Sequence, residues 1–108
     1  MKWNDVELVD GKFYFVEVKR WPSGEPNNWV FAYKDNSEFE TKHFVCARIA
    51  GNDSSVCSVY DSGYVCSRNE IISLSPATRE DMDAFWSYLD RWDYKYCLNT
   101  KKLRYVGC

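Results

Sequence analysis

Few residues in this 108-residue chain carry the side chains that metal binding needs. The single histidine, His43, precedes Cys46 by three residues, and Cys57 and Cys66 follow later. A shared metal requires His43 and Cys46 on one face of their strand, whereas residues an odd number apart in a regular strand point to opposite faces. The C-x₂₋₄-C spacing of zinc ribbons is missing as well. We therefore expect no metal site and no cofactor.

The sequence also lacks the motifs of the common catalytic sites. Any nucleophilic mechanism would have His43 as its only histidine base, and there is no G-x-S-x-G, no Gly-rich phosphate loop and no H-E-x-x-H. Glu80, Asp81 and Asp83 form an acidic cluster, but they fall in the first turn of a predicted helix, where negative charge stabilises the helix dipole. We expect no enzymatic activity.

A first candidate binding surface surrounds a loop with two prolines and a glycine, over residues 20–28. This composition predicts that the loop continues neither a strand nor a helix. A tryptophan beside such a loop either packs beneath it or, if exposed, anchors a protein interface. The candidate residues are Arg20, Trp21, Trp29 and Tyr33.

A second candidate surface lies near the C-terminal end, where basic residues alternate with aromatic ones. This combination binds single-stranded nucleic acid through phosphate charge and base stacking. Lysines on hairpins also deter unwanted strand pairing, which is the alternative interpretation. The residues are Lys95, Lys101, Lys102, Arg104 and Tyr105.

Length, charge and cysteine usage limit the class of protein. We expect a single domain over residues 1–108, rich in aromatics, and a net charge of −2 provides no global attraction to nucleic acid or to anionic membranes. The first residues form no apolar signal segment, and no apolar run is long enough to span a membrane. Five cysteines, an odd number without C-x-x-C, predict free and mostly buried thiols and a cytosolic location, with a secreted disulfide protein as the alternative.

The first two thirds of the chain predict short strands. Residues 6–9 and 12–19 flank Asp10-Gly11 and predict a hairpin whose second strand is central and covered on both faces. Residues 29–34, with Trp29, Phe31 and Tyr33 on one face, predict a third strand, and residues 42–50 a fourth. A second hairpin is expected over 56–60 and 64–66, and a short strand over 71–74.

The last third predicts a capped helix and a closing hairpin. Thr78 is the expected N-cap, with Asp81 completing a capping box. The helix then presents an apolar stripe of Met82, Phe85, Trp86, Leu89 and Trp92. We expect this stripe to cover the aromatic face of the strands, and the hairpin over 94–106 to extend their sheet. The predicted class is α+β and predominantly antiparallel β, either a bent sheet or a small barrel of SH3-like or OB-like size.

The C-terminal third resembles a known group of tails. The order S-P-A-T-R-E-D, an amphipathic helix and then D-Y-K-Y…K-K-L-R-Y-V is similar to the tails of small uncharacterised proteins of Bacteroides phages and related mobile elements. Those tails typically have P-A-T-x-E-[ED] at the helix start and G-Y-x-[WF] at the strand start, whereas this chain has Trp92-Asp93 where a glycine would precede the tyrosine. The resemblance implies a phage or mobile-element setting and assigns no functional residue.

Together these features favour a small non-catalytic binding protein, encoded by a phage, that occupies a surface of a host bacterial protein and so inhibits a host defence or redirects a host enzyme. Two alternatives remain open. One is a small β-barrel that binds nucleic acid or a nucleotide through its aromatic residues. The other is a virion or assembly component.

Overall fold

A computed structural model describes residues 2–19, 24–35, 44–61 and 65–106, and these residues form the predicted α+β fold. Helix α1 (Arg79–Arg91) is the one α-helix of the described ranges, and a 3-10 turn (Arg68–Glu70) precedes β8. The strands are β1 (Lys2–Trp3), β2 (Val6–Glu7), β3 (Phe13–Lys19), β4 (Pro26–Tyr33), β5 (Phe44–Gly51), β6 (Val59–Asp61), β7 (Val65–Ser67), β8 (Ile71–Pro76), β9 (Tyr94–Cys97) and β10 (Lys102–Tyr105).

The main sheet has the strand order β6-β5-β4-β3-β8, with β7 also paired to β5, and all of its pairings are antiparallel. β3 lies between β4 and β8, which confirms its predicted central position. The pairing register shifts at Glu17/Val18 and at Ala32/Tyr33, and such irregularities bend strands. Because the described end strands β6 and β8 do not pair, the sheet is open rather than a closed barrel.

Strand alternation divides the apolar residues between the two faces of this sheet. Tyr14, Val16 and Val18 of β3 share one face with the aromatic residues of β4, Trp29, Phe31 and Tyr33, so the predicted face of that strand is confirmed. Phe13 and Phe15 of β3 lie on the other face, where their register partners are Ala32 and Val30. Both faces of β3 are therefore covered, as expected.

The helix packs on the second of these faces. Phe85 and Leu89 are buried against Val30, Ala32 and Ile49. Because Phe13 and Phe15 lie on this face, α1 covers an aromatic face of the strands as expected, whereas strand parity turns Trp29, Phe31 and Tyr33 to the opposite side.

The helix begins and ends close to the predicted positions. The Thr78 hydroxyl accepts from Asp81 N at 3.1 Å, and Asp81 Oδ2 accepts from Thr78 N at 2.8 Å, so the predicted capping box is present. Met82 and Trp86 pack half-buried beside the core. Trp92 does not extend the apolar stripe because the helix ends at Arg91 and Trp92 is its C-cap.

The predicted first hairpin is not formed. β3 has β4 and β8 on its two edges, so β2 pairs with β1 instead. Residues 7–9 run across the sheet face, where the buried Tyr14 hydroxyl donates to Glu7 O at 2.9 Å and accepts from Val9 N at 2.8 Å. Asp10-Gly11 still makes a turn, with Gly11 at φ 81° and its N–H donating to Tyr33 O at 2.8 Å.

Two further sequence predictions need correction. β6 and β7 both pair with β5 rather than with each other, so residues 56–66 do not form a second hairpin. The loop predicted over 20–28 also ends early, since β4 begins at Pro26, opposite Lys19. Proline is tolerated there because the first residue of a strand need not donate to the ladder. The predicted hairpin over 94–106 is present, but it forms a separate two-stranded sheet and does not extend the main one.

Candidate functional site

The C-terminal hairpin sorts its side chains onto two faces. β9 and β10 pair with Leu103 opposite Tyr96 and Arg104 opposite Lys95. Tyr94, Tyr96 and Leu103 pack toward the helix-side core. The alternate residues of the two strands therefore share the outer face. They are Lys95, Cys97, Lys102 and Arg104, and all four are exposed.

Aromatic contacts hold the hairpin against the rest of the fold. The Tyr96 ring stacks on Trp86 at a centroid distance of 6.4 Å and meets the edge of Phe13 at 6.0 Å. At the open end of the hairpin, Val106 N donates to Asp93 O at 2.7 Å. Asp93 itself has φ 61°, in the left-handed region that favours glycine. The inner face of the hairpin is thus packed against the rest of the fold, and this packing holds the outer face in a defined position.

The outer face is a groove with a concentration of positive charge. Its volume is about 550 Å³, and Lys95, Lys102 and Arg104 contribute to its lining. Lys95 lies directly opposite Arg104, and like charges in that position destabilise a strand pair. Among the described residues, none forms a salt bridge with any of these three cations. Folding therefore places repulsive charges together, and the described residues do not neutralise them.

The Cys97 thiol lies in the same groove, opposite Lys102. Hydrogen bonds from the Thr100 side chain, the Thr100 N–H and the Asn99 N–H lower the pKa of Cys97 below its ordinary value. The thiol is fully exposed, so burial opposes this shift only weakly. The groove consequently combines three cations with a thiol that ionises more readily than usual.

Lys101 leaves this groove, although the sequence groups it with the other cations. Its Nζ lies 3.8 Å from Asp10 Oδ2, and Arg48 Nη2 lies 3.0 Å from the same carboxylate oxygen. Burial acts to raise the pKa of Asp10, but the hydrogen bond from Asp35 N–H and the bonds from Arg48 lower it overall. Asp10 therefore remains ionised and ties the hairpin turn to the main sheet.

Tyr105 is also separated from the cations. It pairs with Tyr94, so it lies on the face opposite to Lys95 and Arg104, and the two tyrosine rings are in contact at 5.3 Å. Its side chain is 59% exposed because it lies at the end of the strand. The predicted combination of cations and aromatic rings is thus split between two faces of the hairpin.

Two residues of the first candidate surface are buried. Trp29 and Tyr33 are only 8% and 1% exposed, because both belong to the buried face of β4. These two rings therefore offer little area to a contact surface, and Trp29 packs in the core and against Tyr60. Arg20 and Trp21 lie outside the described residues.

The cysteines are divided between the interior and the surface. Cys46 and Cys66 are buried free thiols, as predicted, whereas Cys57 and Cys97 are exposed. Cys108 and His43 lie outside the described residues. Within the described ranges, no three potential metal ligands of the Cys, His, Asp and Glu types come together.

Sequence reasoning misses Cys97 as a member of the charged face, because cysteine count and spacing do not distinguish exposed from buried thiols. The alternation of Tyr94 and Tyr96 with Lys95 and Cys97 is the signal that places the thiol outward. The register that sets Lys95 against Arg104 depends on the turn and has no comparable sequence signal.

Comparisons with protein-family models, with curated proteins and with solved structures find no match for the chain. Across the described ranges, no helix has the length and apolar character needed to cross a bilayer.

Proposed function

We propose that the protein is a non-catalytic binding protein that docks the cationic outer face of its β9–β10 hairpin onto an acidic surface of a bacterial host protein. The observation that carries this proposal is the pairing of Lys95 with Arg104 beside Lys102, without a neutralising carboxylate among the described residues. Such an arrangement reduces the stability of the free protein, and an acidic partner would relieve the repulsion.

The distribution of charge along the chain supports the same surface. Residues 94–105 contain four cations and no carboxylate, in a chain of net charge −2, so the rest of the chain carries −6 against the hairpin's +4. Three of the four cations lie on the outer face, and the fourth, Lys101, lies beside Asp10. A small positive face on an otherwise acidic protein orients an acidic partner and repels it elsewhere. Complementary charge of this kind contributes mainly to the association rate and to specificity.

The phage origin is part of the proposal and rests on the resemblance of residues 75–106 to tails of Bacteroides phage proteins. A phage protein that covers a host surface could inhibit a defence system or redirect a host enzyme by steric block. In either case it would act in the host cytoplasm and would need no cofactor.

Nucleic-acid binding is the second candidate function, because the groove cations could also contact phosphates. The arrangement of the aromatic residues favours it less. Stacking on bases requires free ring faces beside the cations. Tyr96 contributes to the groove lining, but its ring is packed against Trp86, and Tyr105 lies on the opposite face. The open sheet also argues against the alternative hypothesis of a nucleotide-binding barrel.

Affinity purification from a nuclease-treated Bacteroides lysate tests the proposal with a double charge reversal, Lys95→Glu/Arg104→Glu. The matched control is Lys19→Glu/Arg79→Glu, which changes the net charge equally at exposed positions away from the hairpin. We expect a specific acidic protein to be recovered by the wild type and by the control, to be lost with the hairpin variant, and to elute as the salt concentration rises.

Equal recovery by both double variants would contradict docking through the hairpin. Recovery of nucleic acid without nuclease treatment, together with loss of every protein after it, would favour the second candidate. Circular dichroism of each variant checks that the charge reversals leave the fold intact.

A further inference from the structure

A second pocket lies apart from the hairpin groove, between the start of β4, strand β6 and the loop after β5. Its volume is about 290 Å³. Trp29 and Tyr60 form one wall, with ring centroids 5.6 Å apart and an interplanar angle of 48°. Asn27, Asn52 and Ser54 contribute polar groups to the lining. None of these features takes part in the proposed docking face.

Asn52 is the residue that points to a ligand. Its side chain is buried, with 5% exposure, and its Nδ2 donates to Asn27 Oδ1 at 2.8 Å. Its Oδ1 is also buried, and within the described part of the chain it accepts no hydrogen bond. A buried amide oxygen without a donor costs about 1–3 kcal/mol, and most such groups in folded proteins are satisfied. A hydroxyl group entering the pocket can supply the missing donor.

The loop that carries Asn52 is held in place before any ligand binds. Asn52 N donates to Ser58 O at 3.2 Å, and Ser58 Oγ donates to Val56 O at the same distance. From the helix, Arg91 Nη1 donates to Asp53 Oδ1 at 2.6 Å and to Ser54 O at 3.1 Å. A preformed loop reduces the ordering cost of binding.

The lining restricts the chemical class of the ligand. Asp53 is the one charged residue among the described lining residues, and Arg91 pairs with it, which favours a neutral ligand. The amides, hydroxyls and carboxylate of the lining are suited to a ligand whose groups both donate and accept hydrogen bonds. Tyr60, 43% exposed, offers a flat apolar surface, and the volume is at the small end for ligand sites. We infer that this pocket binds a single neutral sugar ring, through the Asn52 and Asn27 amides and the Tyr60 ring.

Nuclear magnetic resonance of the ¹⁵N-labelled full chain tests this inference, with the side-chain amides of Asn27 and Asn52 as the readout. Glucose, galactose and N-acetylglucosamine are titrated separately, and cytosine and adenine serve as flat rings without sugar hydroxyls. We expect saturable shifts of both amides with at least one sugar, at millimolar concentration.

Two substitutions and a control locate the binding. Asn52→Ala and Tyr60→Ala should each weaken the sugar affinity by about tenfold or more. Tyr105→Ala, which removes an exposed tyrosine elsewhere, should leave it unchanged. Because Tyr60 is partly exposed, its variant remains informative even if Asn52→Ala does not fold. Three results would overturn the inference: the absence of saturable shifts with all three sugars, shifts with the bases alone, or equal sugar affinity in the Tyr60→Ala variant and the wild type.

Discussion

Phe85 is the residue through which the helix contributes most to the core. Its side chain has 0% exposure, and its ring contacts Phe13 at 5.5 Å and Trp86 at 5.3 Å. Phe85→Ala should lower the free energy of unfolding by about 3–5 kcal/mol, because it removes a buried ring and leaves a cavity. Chemical denaturation measures the loss. Tyr105→Ala is the control at an exposed ring, and similar costs for the two variants would show that the helix face is not core.

Thr100 controls the ionisation of the exposed thiol in the groove. Thr100→Val removes the side-chain hydrogen bond that contributes most to lowering the pKa of Cys97, so this pKa should rise toward its ordinary value. Thiolate is the reactive form, and alkylation of Cys97 should therefore require a higher pH in the variant. Peptide mass spectrometry after iodoacetamide treatment at a series of pH values gives the midpoint. An identical midpoint in the variant and the wild type would contradict this role.

In the hairpin, a substitution that stabilises the fold should weaken the proposed partner binding. Arg104→Glu places a carboxylate opposite Lys95 and replaces a repulsive pair with an attractive one. We expect the free energy of unfolding to rise by about 0.2–1 kcal/mol, while partner binding weakens. Thermal unfolding measures the first effect and partner recovery the second. Arg79→Glu, in the first turn of the helix, provides a charge-matched control for the second measurement. A loss of stability in Arg104→Glu, or unchanged partner binding, would contradict the claim that repulsion between Lys95 and Arg104 destabilises the free protein and is relieved by an acidic partner.

Asp10 links the hairpin turn to the main sheet, and its effect should depend on pH. Its pKa is lowered in the folded protein, so its contribution to stability is present above the unfolded-state pKa of about 3.9 and is lost as the pH falls through the folded-state pKa. Asp10→Asn should reduce the free energy of unfolding near pH 7 by about 1 kcal/mol, since solvent screens a side chain that is 35% exposed.

Denaturation of both proteins between pH 7 and pH 3 tests this prediction, and the difference between them should shrink toward the acid end. A difference that stays constant across this range would show that the charge of Asp10 is not what stabilises the turn. Retention of the Asn variant's folded circular dichroism spectrum throughout is the necessary control.

Local signals in the sequence identify the elements more successfully than their pairing. The Thr78 cap, the helix stripe at Phe85 and Leu89, and the alternation over 94–97 are set by neighbouring residues, and the structure confirms all three, whereas Leu98 lies exposed in the turn. The pairing of β2 with β1, and of β6 and β7 with β5, depends on which edges of β3 and β5 are free, and this is a tertiary property. No local sequence pattern predicts the polar pocket around Asn52 either, because this pocket joins Asn27 to a loop 25 residues later.

In the molecule as a whole, the two faces of the main sheet have different roles. One face buries Trp29, Phe31 and Tyr33, and the other carries the helix and the hairpin. The aromatic side chains in which the sequence is rich therefore lie largely in the interior. The distinctive feature of the surface is its distribution of charge. The protein thus combines an acidic body with one cationic face on the hairpin, and we propose that this face docks onto an acidic partner.

Lysine footprinting tests that claim most directly. The protein is treated with an amine-acylating reagent in buffer and in a nuclease-treated Bacteroides lysate, and modification at each lysine is measured by peptide mass spectrometry. We predict that the lysate protects Lys95 and Lys102, while Lys12, just before β3, and Lys19, at the end of β3, are modified equally in both conditions. Equal modification of Lys95 and Lys102 in buffer and lysate, or protection confined to Lys12 and Lys19, would contradict docking through the hairpin.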